Sequence, residues 1–97
     1  MAAEYEADAW LVLPGAAPVK GRAAIADALR VLARSVTNVK LTSTSVLRLG
    51  PDVMVENGVA TLQPGTSQKV ETSNYQVVWH RTRKDGWKIL RDVVSPR

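Results

Sequence analysis

The apolar positions change period along the chain, and each change marks an element. Ala9, Trp10, Leu11, Val12 and Leu13 form a continuous apolar run stopped by Pro14-Gly15, which predicts a buried strand ending at Leu13, with Asp8 preceding or opening it. Gly15 to Lys20 holds Pro18 and small residues and reads as a loop with one short bridge at Val19. From Gly21 the period becomes helical. Ile25, Ala28, Leu29, Leu32 and Val36 fall at i, i+3, i+4, i+7 and i+11, while Arg22, Arg30 and Arg34 lie mostly on the other side, so an amphipathic helix is expected over about Gly21 to Ser35. Its alanines favour that conformation.

Beyond Thr37-Asn38 the chain is strand-like. Val39, Leu41, Thr42, Thr44, Val46 and Leu47 suit a pleated surface and end at Gly50-Pro51-Asp52. Val53 to Leu62 is the next strand. Its Asn57-Gly58 reads as a bulge, since a hairpin there would leave short, weakly apolar arms. Gln63 to Ser67, with Pro64 and Gly65, reads as a turn. The last hairpin joins Gln68–Arg83 to Trp87–Ser95 around Lys84-Asp85-Gly86, with Gly86 left-handed and Arg83 opposite Trp87. That register puts Tyr75, Val77, Trp79, Trp87, Ile89, Arg91 and Val93 on one face. Asn74, Gln76, Val78, His80, Lys88, Leu90, Asp92 and Val94 take the other. Both faces carry apolar residues, so a helix is expected over one and a partner subunit over the other.

The order of strand, Pro-Gly loop, helix start Gly21-Arg22-Ala23-Ala24-Ile25, then Tyr75-Gln76-Val77-Val78-Trp79 and Asp85-Gly86-Trp87-Lys88-Ile89-Leu90-Arg91-Asp92 resembles SnoaL-like domains. These belong to the nuclear-transport-factor-2-like (NTF2-like) superfamily, with the ketosteroid isomerases and polyketide cyclases. The resemblance runs from about Tyr5 to Ser95. It implies an α+β, cystatin/NTF2-like cone: a curved antiparallel β-sheet packed against one main helix, an enclosed apolar pocket, and dimerisation through the outer sheet face. Typical members begin with further helices that close the pocket. Here Glu6-Ala7-Asp8-Ala9 already matches the segment entering the first strand, so the resemblance implies truncated N-terminal helices. The isomerases place a general-base aspartate just before the proline matching Pro14, where this chain has Leu13. Their oxyanion-binding tyrosine lies on the missing helix.

Composition adds bounds. The 97 residues are enough for a single domain over 1–97, and 45% hydrophobic with 23% charged residues is the balance of a folded chain. No apolar run approaches the roughly 20 residues of a membrane-spanning helix, and the acidic start is unlike a secretory signal, so a cytoplasmic protein is expected. Without cysteine and with one histidine, thiolate chemistry and common metal centres are excluded, and neither metal nor cofactor is expected. A net charge of +4 decides little.

The candidate ligand-binding residues are Trp10, Tyr75, Trp79, Trp87 and Arg91, aromatic walls with a cation to orient a small apolar or anionic ligand. Packing also accounts for the tryptophans, and a carboxylate such as Asp92 of another subunit also accounts for Arg91. His80 is a candidate base, and Asp92 a catalytic candidate, alone or paired with Asp8. The competing explanations are a structural histidine, an interface salt bridge for Asp92 and a turn residue for Asp8. Arg81, Arg83, Lys84 and Lys88 read as a solvated hairpin tip rather than a nucleic-acid surface. The expected function is a homo-oligomeric (dimeric or higher) small-molecule-binding domain. The alternatives are a cyclase- or isomerase-type acid–base enzyme on a small hydrophobic substrate and a structural oligomerisation module without a ligand.

Overall fold

The computed structural model describes residues 2–64 and 70–96. After a single 3₁₀ turn, Ala2–Glu4, the elements are β1 (Tyr5–Val12), β2 (Val19–Lys20), α1 (Arg22–Ser35), β3 (Val36–Arg48), β4 (Val53–Pro64), β5 (Glu71–Thr82) and β6 (Gly86–Pro96). The expected turn at Gln63 to Ser67 falls mostly outside the described residues. The strands form one curved sheet in the order β2-β1-β6-β5-β4-β3, with α1 packed on one face, here called inner.

The expected antiparallel sheet is mixed. β1 runs parallel to β6, with Trp10 opposite Arg91 and Leu11 opposite Asp92, while the other neighbouring strands are antiparallel. A parallel pair needs a long crossover, and here the connection from β1 to β6 runs through α1 and the β3–β5 meander. The strand expected to begin near Asp8 already begins at Tyr5, with its pairing to β6 interrupted between Tyr5 and Trp10.

The helix occupies the expected span, and its apolar stripe explains its orientation. Ile25 is fully buried, with Ala28 and Leu29 packed against the same core of Tyr5, Ala9, Leu11, Ala60, Tyr75, Val77 and Ile89. Arg22 ties the first turn to β1 through Nε to the Tyr5 carbonyl at 2.9 Å, and the Gly21 amide reaches the Ala9 carbonyl at 2.8 Å. No loop follows the helix: Val36 is already extended and opens β3.

Asn57-Gly58 lies within a continuous strand. β4 pairs with β5 without interruption from Val53 to Leu62, and the irregularity sits across from it on β3, where Ser43 pairs with Gly58 and Ser45 with Asn57. The unpaired Thr44 sends its hydroxyl to the Asn57 carbonyl at 3.1 Å. Gly58 is required by what faces it, because a Cβ there would land inside the Tyr75 ring on the neighbouring strand. An aromatic side chain covering a cross-strand glycine is a known stabilising arrangement.

The final hairpin closes with Thr82 opposite Gly86, leaving Arg83, Lys84 and Asp85 as the loop. Gly86 has φ +73°, as expected. The expected pair of Arg83 with Trp87 is corrected, since Trp87 pairs with Arg81. The Thr82 hydroxyl holds this closure, accepting from the Asp85 amide at 2.9 Å and donating to the Gly86 carbonyl at 3.2 Å.

Gly58→Ala is expected to destabilise the fold by about 1–3 kcal/mol, the usual range for overpacking. The loss should be smaller when introduced into Tyr75→Ala, as chemical denaturation of the double-mutant cycle will show.

Candidate functional site

Within β6 one residue more than in β5 separates two pairings: Val78 lies opposite Arg91, yet Trp79 lies opposite Ile89. Leu90 is therefore the extra residue of a β-bulge, and beyond it each side chain points to the face opposite the one that strict alternation assigns. Asp92 and Val94 join Val77 and Tyr75 on the inner face. Arg91 and Val93 join Val78 and Gln76 on the outer face. The expected placing of Trp79 and Arg91 on one face is thereby corrected, for the two side chains lie on opposite sides of the sheet.

The inner face instead collects two polar groups. Glu56, Val77, Asp92 and Leu11 form one cross-strand row over β4, β5, β6 and β1. At its β6 position the Tyr5 hydroxyl donates to Asp92 Oδ2 at 2.5 Å. At its β4 position Glu56 accepts from the Tyr75 hydroxyl at 2.8 Å and from Trp79 Nε1 at 3.1 Å. Tyr5 and Tyr75 are buried, and both carboxylates are half-buried. Tyr5 is placed by Arg22 on its carbonyl, and Tyr75 by the space left at Gly58.

Burial raises the Asp92 carboxyl above its ordinary range and the negative charge of Glu56 pushes the same way, against the lowering effect of the Tyr5 hydrogen bond. Tyr75 is pushed up to about 12, first by burial and then by its bond to Glu56. Burial, the bond to Asp92 and nearby negative charge also raise Tyr5. Both phenols therefore stay protonated and act as donors. The pair at Asp92 can hold a proton and present a polarised carboxyl to a ligand.

The other predicted residues lie elsewhere. Trp10 and Arg91 share the outer face, with the Arg91 guanidinium 4.7 Å from the indole centre. Trp87 sits near the hairpin tip beside Arg48 and Arg81, whose guanidinium carbons are 5.8 and 5.6 Å from its ring. His80 is on the outer face with Nδ1 2.9 Å from Glu6 Oε1, and that carboxylate raises the imidazole's pKa. Asp8 is exposed and adds to the same effect on His80. Asp92 takes its hydrogen bond within its own chain, from Tyr5. Of the predicted ligand-binding set, Tyr75 and Trp79 meet on the inner face, at Glu56, and Trp10 and Arg91 meet on the outer face. Tyr5 and Glu56 escaped the sequence reading. The available signal was the inward row Met54, Glu56, Gly58 and Ala60, in which one charge stands beside two small residues. Among the described residues no group of His, Cys, Asp and Glu forms a metal-binding cluster, and no helix is long and apolar enough to cross a membrane.

No family model matches the sequence, and no curated protein matches it. Solved structures are similar in fold. A putative calcium/calmodulin-dependent protein kinase type II association domain from Thiobacillus denitrificans superposes with a TM-score of 0.81 at 24% identity, covering 100% of this chain and 79% of that one. A ketosteroid isomerase-like protein from Erwinia carotovora atroseptica gives 0.79 at 18% identity, covering 97% and 76%. An NTF2-like protein with a cystatin-like fold from Novosphingobium aromaticivorans gives 0.73 at 20% identity, covering 96% and 64%. The chain thus has the NTF2-like, cystatin-like α+β fold that its sequence resemblance implied.

Asp92 supplies a pH test. Its folded-state pKa is raised, so the stability it contributes is present below the ordinary carboxylate pKa and is lost as pH rises through the folded value. Asp92→Asn, neutral at every pH, should therefore raise Tm relative to the parent at pH ~8, with the gain shrinking toward pH ~4. Paired thermal melts across that range measure it.

Proposed function

We propose that this domain binds a small, largely apolar, uncharged ligand on the inner face of the sheet beside α1, and that it works as a homo-oligomer. The observation that carries the binding reading is the pair of tyrosine–carboxylate contacts on one inner row, Tyr5–Asp92 and Tyr75–Glu56. They set convergent polar groups among apolar walls, the usual composition of a ligand site. A small apolar or anionic ligand was expected, the anionic case because Arg91 was expected on the face of Tyr75 and Trp79. With Arg91 outside, the anchors beside α1 are carboxyl and phenol groups, which suit hydroxyl or carbonyl functions on a neutral molecule.

The raised pKa of Asp92 and its contact with Tyr5 favour a second reading, a cyclase- or isomerase-type acid–base enzyme on a small hydrophobic substrate. Asp92 would carry the proton and Tyr5 would orient the carboxyl. The ketosteroid isomerase-like neighbour has the same fold, and its name supports this reading only as analogy.

The outer face supports oligomerisation. Val12, Val55, Val78 and Val93 are partly exposed there, and Leu47 is 58% exposed beside Val55. A sheet face of this kind supplies the apolar centre that a stable interface of about 800 Å² per partner requires.

Two measurements test the proposal. In a thermal-shift screen of neutral apolar ketones and phenols, at least one compound should stabilise the protein, by about 2.7 kcal/mol at a hundredfold excess over its Kd. That stabilisation should fall in Tyr5→Phe and Glu56→Gln. A screen with no stabiliser would favour a purely structural module. Light scattering at micromolar concentration should give a dimer or larger assembly that Val78→Glu dissociates, and a monomeric parent protein would overturn the oligomer.

A further inference from the structure

The outer face carries a charge arrangement that the inner site does not use. One cross-strand row there runs Lys20, Trp10, Arg91 and Val78 over β2, β1, β6 and β5. The indole in this row has a cation on each neighbouring strand, with Lys20 Nζ 4.3 Å and Arg91 Cζ 4.7 Å from its ring centre. An aromatic ring attracts a cation through its quadrupole, but it has no net charge with which to cancel two. Among the described residues no carboxylate meets either group. The ion pairs present use Asp27, Glu6 and Asp52, and the Arg91 side chain's hydrogen bond is to its neighbour's carbonyl, Leu90, at 2.8 Å.

The contrast with Trp87 sharpens the point. That ring also has two guanidinium groups beside it, but Arg81 is paired with Asp52 at 3.0 Å, and Arg48 is spent on the carbonyls of Gly50 and Pro51 at 3.1 and 3.0 Å. At Trp10 no described residue supplies the corresponding counter-charge. Arg91 is half-buried and pinned against the ring, so its planar donor fork is held in place before any ligand arrives, with the Lys20 ammonium as a second point of charge.

We propose that Lys20 and Arg91, held on Trp10, form an oxyanion-binding site on the outer face whose ligand carries two negative charges, as a phosphate group or a dicarboxylate does. The guanidinium takes two oxygens of the anion and the ammonium a third. The site starts at the β2 edge with Lys20 and, through Arg91 opposite Val78, borders the apolar patch of the outer face, so it rests on the proposed oligomer leaving the Trp10 side of that face open. It does not depend on what the inner face binds.

The test follows the indole N–H signals in ¹H–¹⁵N spectra of the full chain, assigned through Trp10→Phe, during titration with sodium phosphate at constant ionic strength. Acetate is the singly charged control and succinate the dicarboxylate arm. A saturating shift at Trp10 is expected at millimolar phosphate, weaker by about tenfold with acetate. Lys20→Gln and Arg91→Gln should each abolish it. Arg91→Lys, which keeps the charge and loses the fork, should weaken it and stands in if the glutamine variant unfolds. Succinate matching phosphate marks charge as the determinant, and phosphate alone marks tetrahedral oxyanion geometry; either supports the site. No saturating Trp10 shift with phosphate or succinate, the same shift in both glutamine variants, or all three indoles moving together with acetate as strongly as with phosphate would overturn it.

Discussion

Between Ile89 and Asp92 the last strand takes in one residue more than its neighbour, and the chemistry of both sheet faces follows from that insertion. In a pleated strand, side chains alternate, so one extra residue exchanges the faces of everything beyond it. Here the exchange moves Asp92 under the helix side of the sheet and turns Arg91 outward. The direction makes physical sense. A guanidinium on the inner row would be costly to bury without a partner, whereas on the outer face it lies against Trp10. A carboxyl tolerates partial burial better, because it can take a proton and accept the Tyr5 hydroxyl.

The inner face is organised around this exchange. Gly58 and Ala60 leave room on β4 for the Tyr75 ring, which lies over the glycine and reaches Glu56. Tyr5, from the first strand, meets a residue of the last because β1 and β6 are parallel neighbours within the sheet. Local packing and long-range topology thus each supply one tyrosine–carboxylate contact. The edge strand contrasts with this ordered centre. On β3, Val39, Leu41 and Val46 stand beside inner-row residues of β4 and are more than half exposed, so the apolar inner surface continues beyond the area that α1 covers.

Much of the architecture was legible without coordinates. Periodicity alone marks the helix at Ile25, Ala28 and Leu29, and turn chemistry marks the ends of β1, β3 and the last hairpin, because these signals are local: a 3.6-residue stripe or a glycine at positive φ needs no distant partner. The arrangement of motifs likewise implied the NTF2-like fold. Asp92 was visible as a candidate too, although its expected partner was another subunit rather than Tyr5.

What the chain could not declare by itself is which side chains meet. The pairing of Tyr5 with Asp92 spans almost the whole length of the chain, and the outward turn of Arg91 depends on a bulge that no residue type near Leu90 announces. Helix phase and turn positions were settled by short-range sterics and by the apolar pattern. The contents of each face were settled by register, a collective property of two strands at once. A two-residue slip at Thr82–Gly86 leaves the faces unchanged, while the single residue at Leu90 exchanges them, so only the assembled sheet decides which groups sit beside the helix and which face outward.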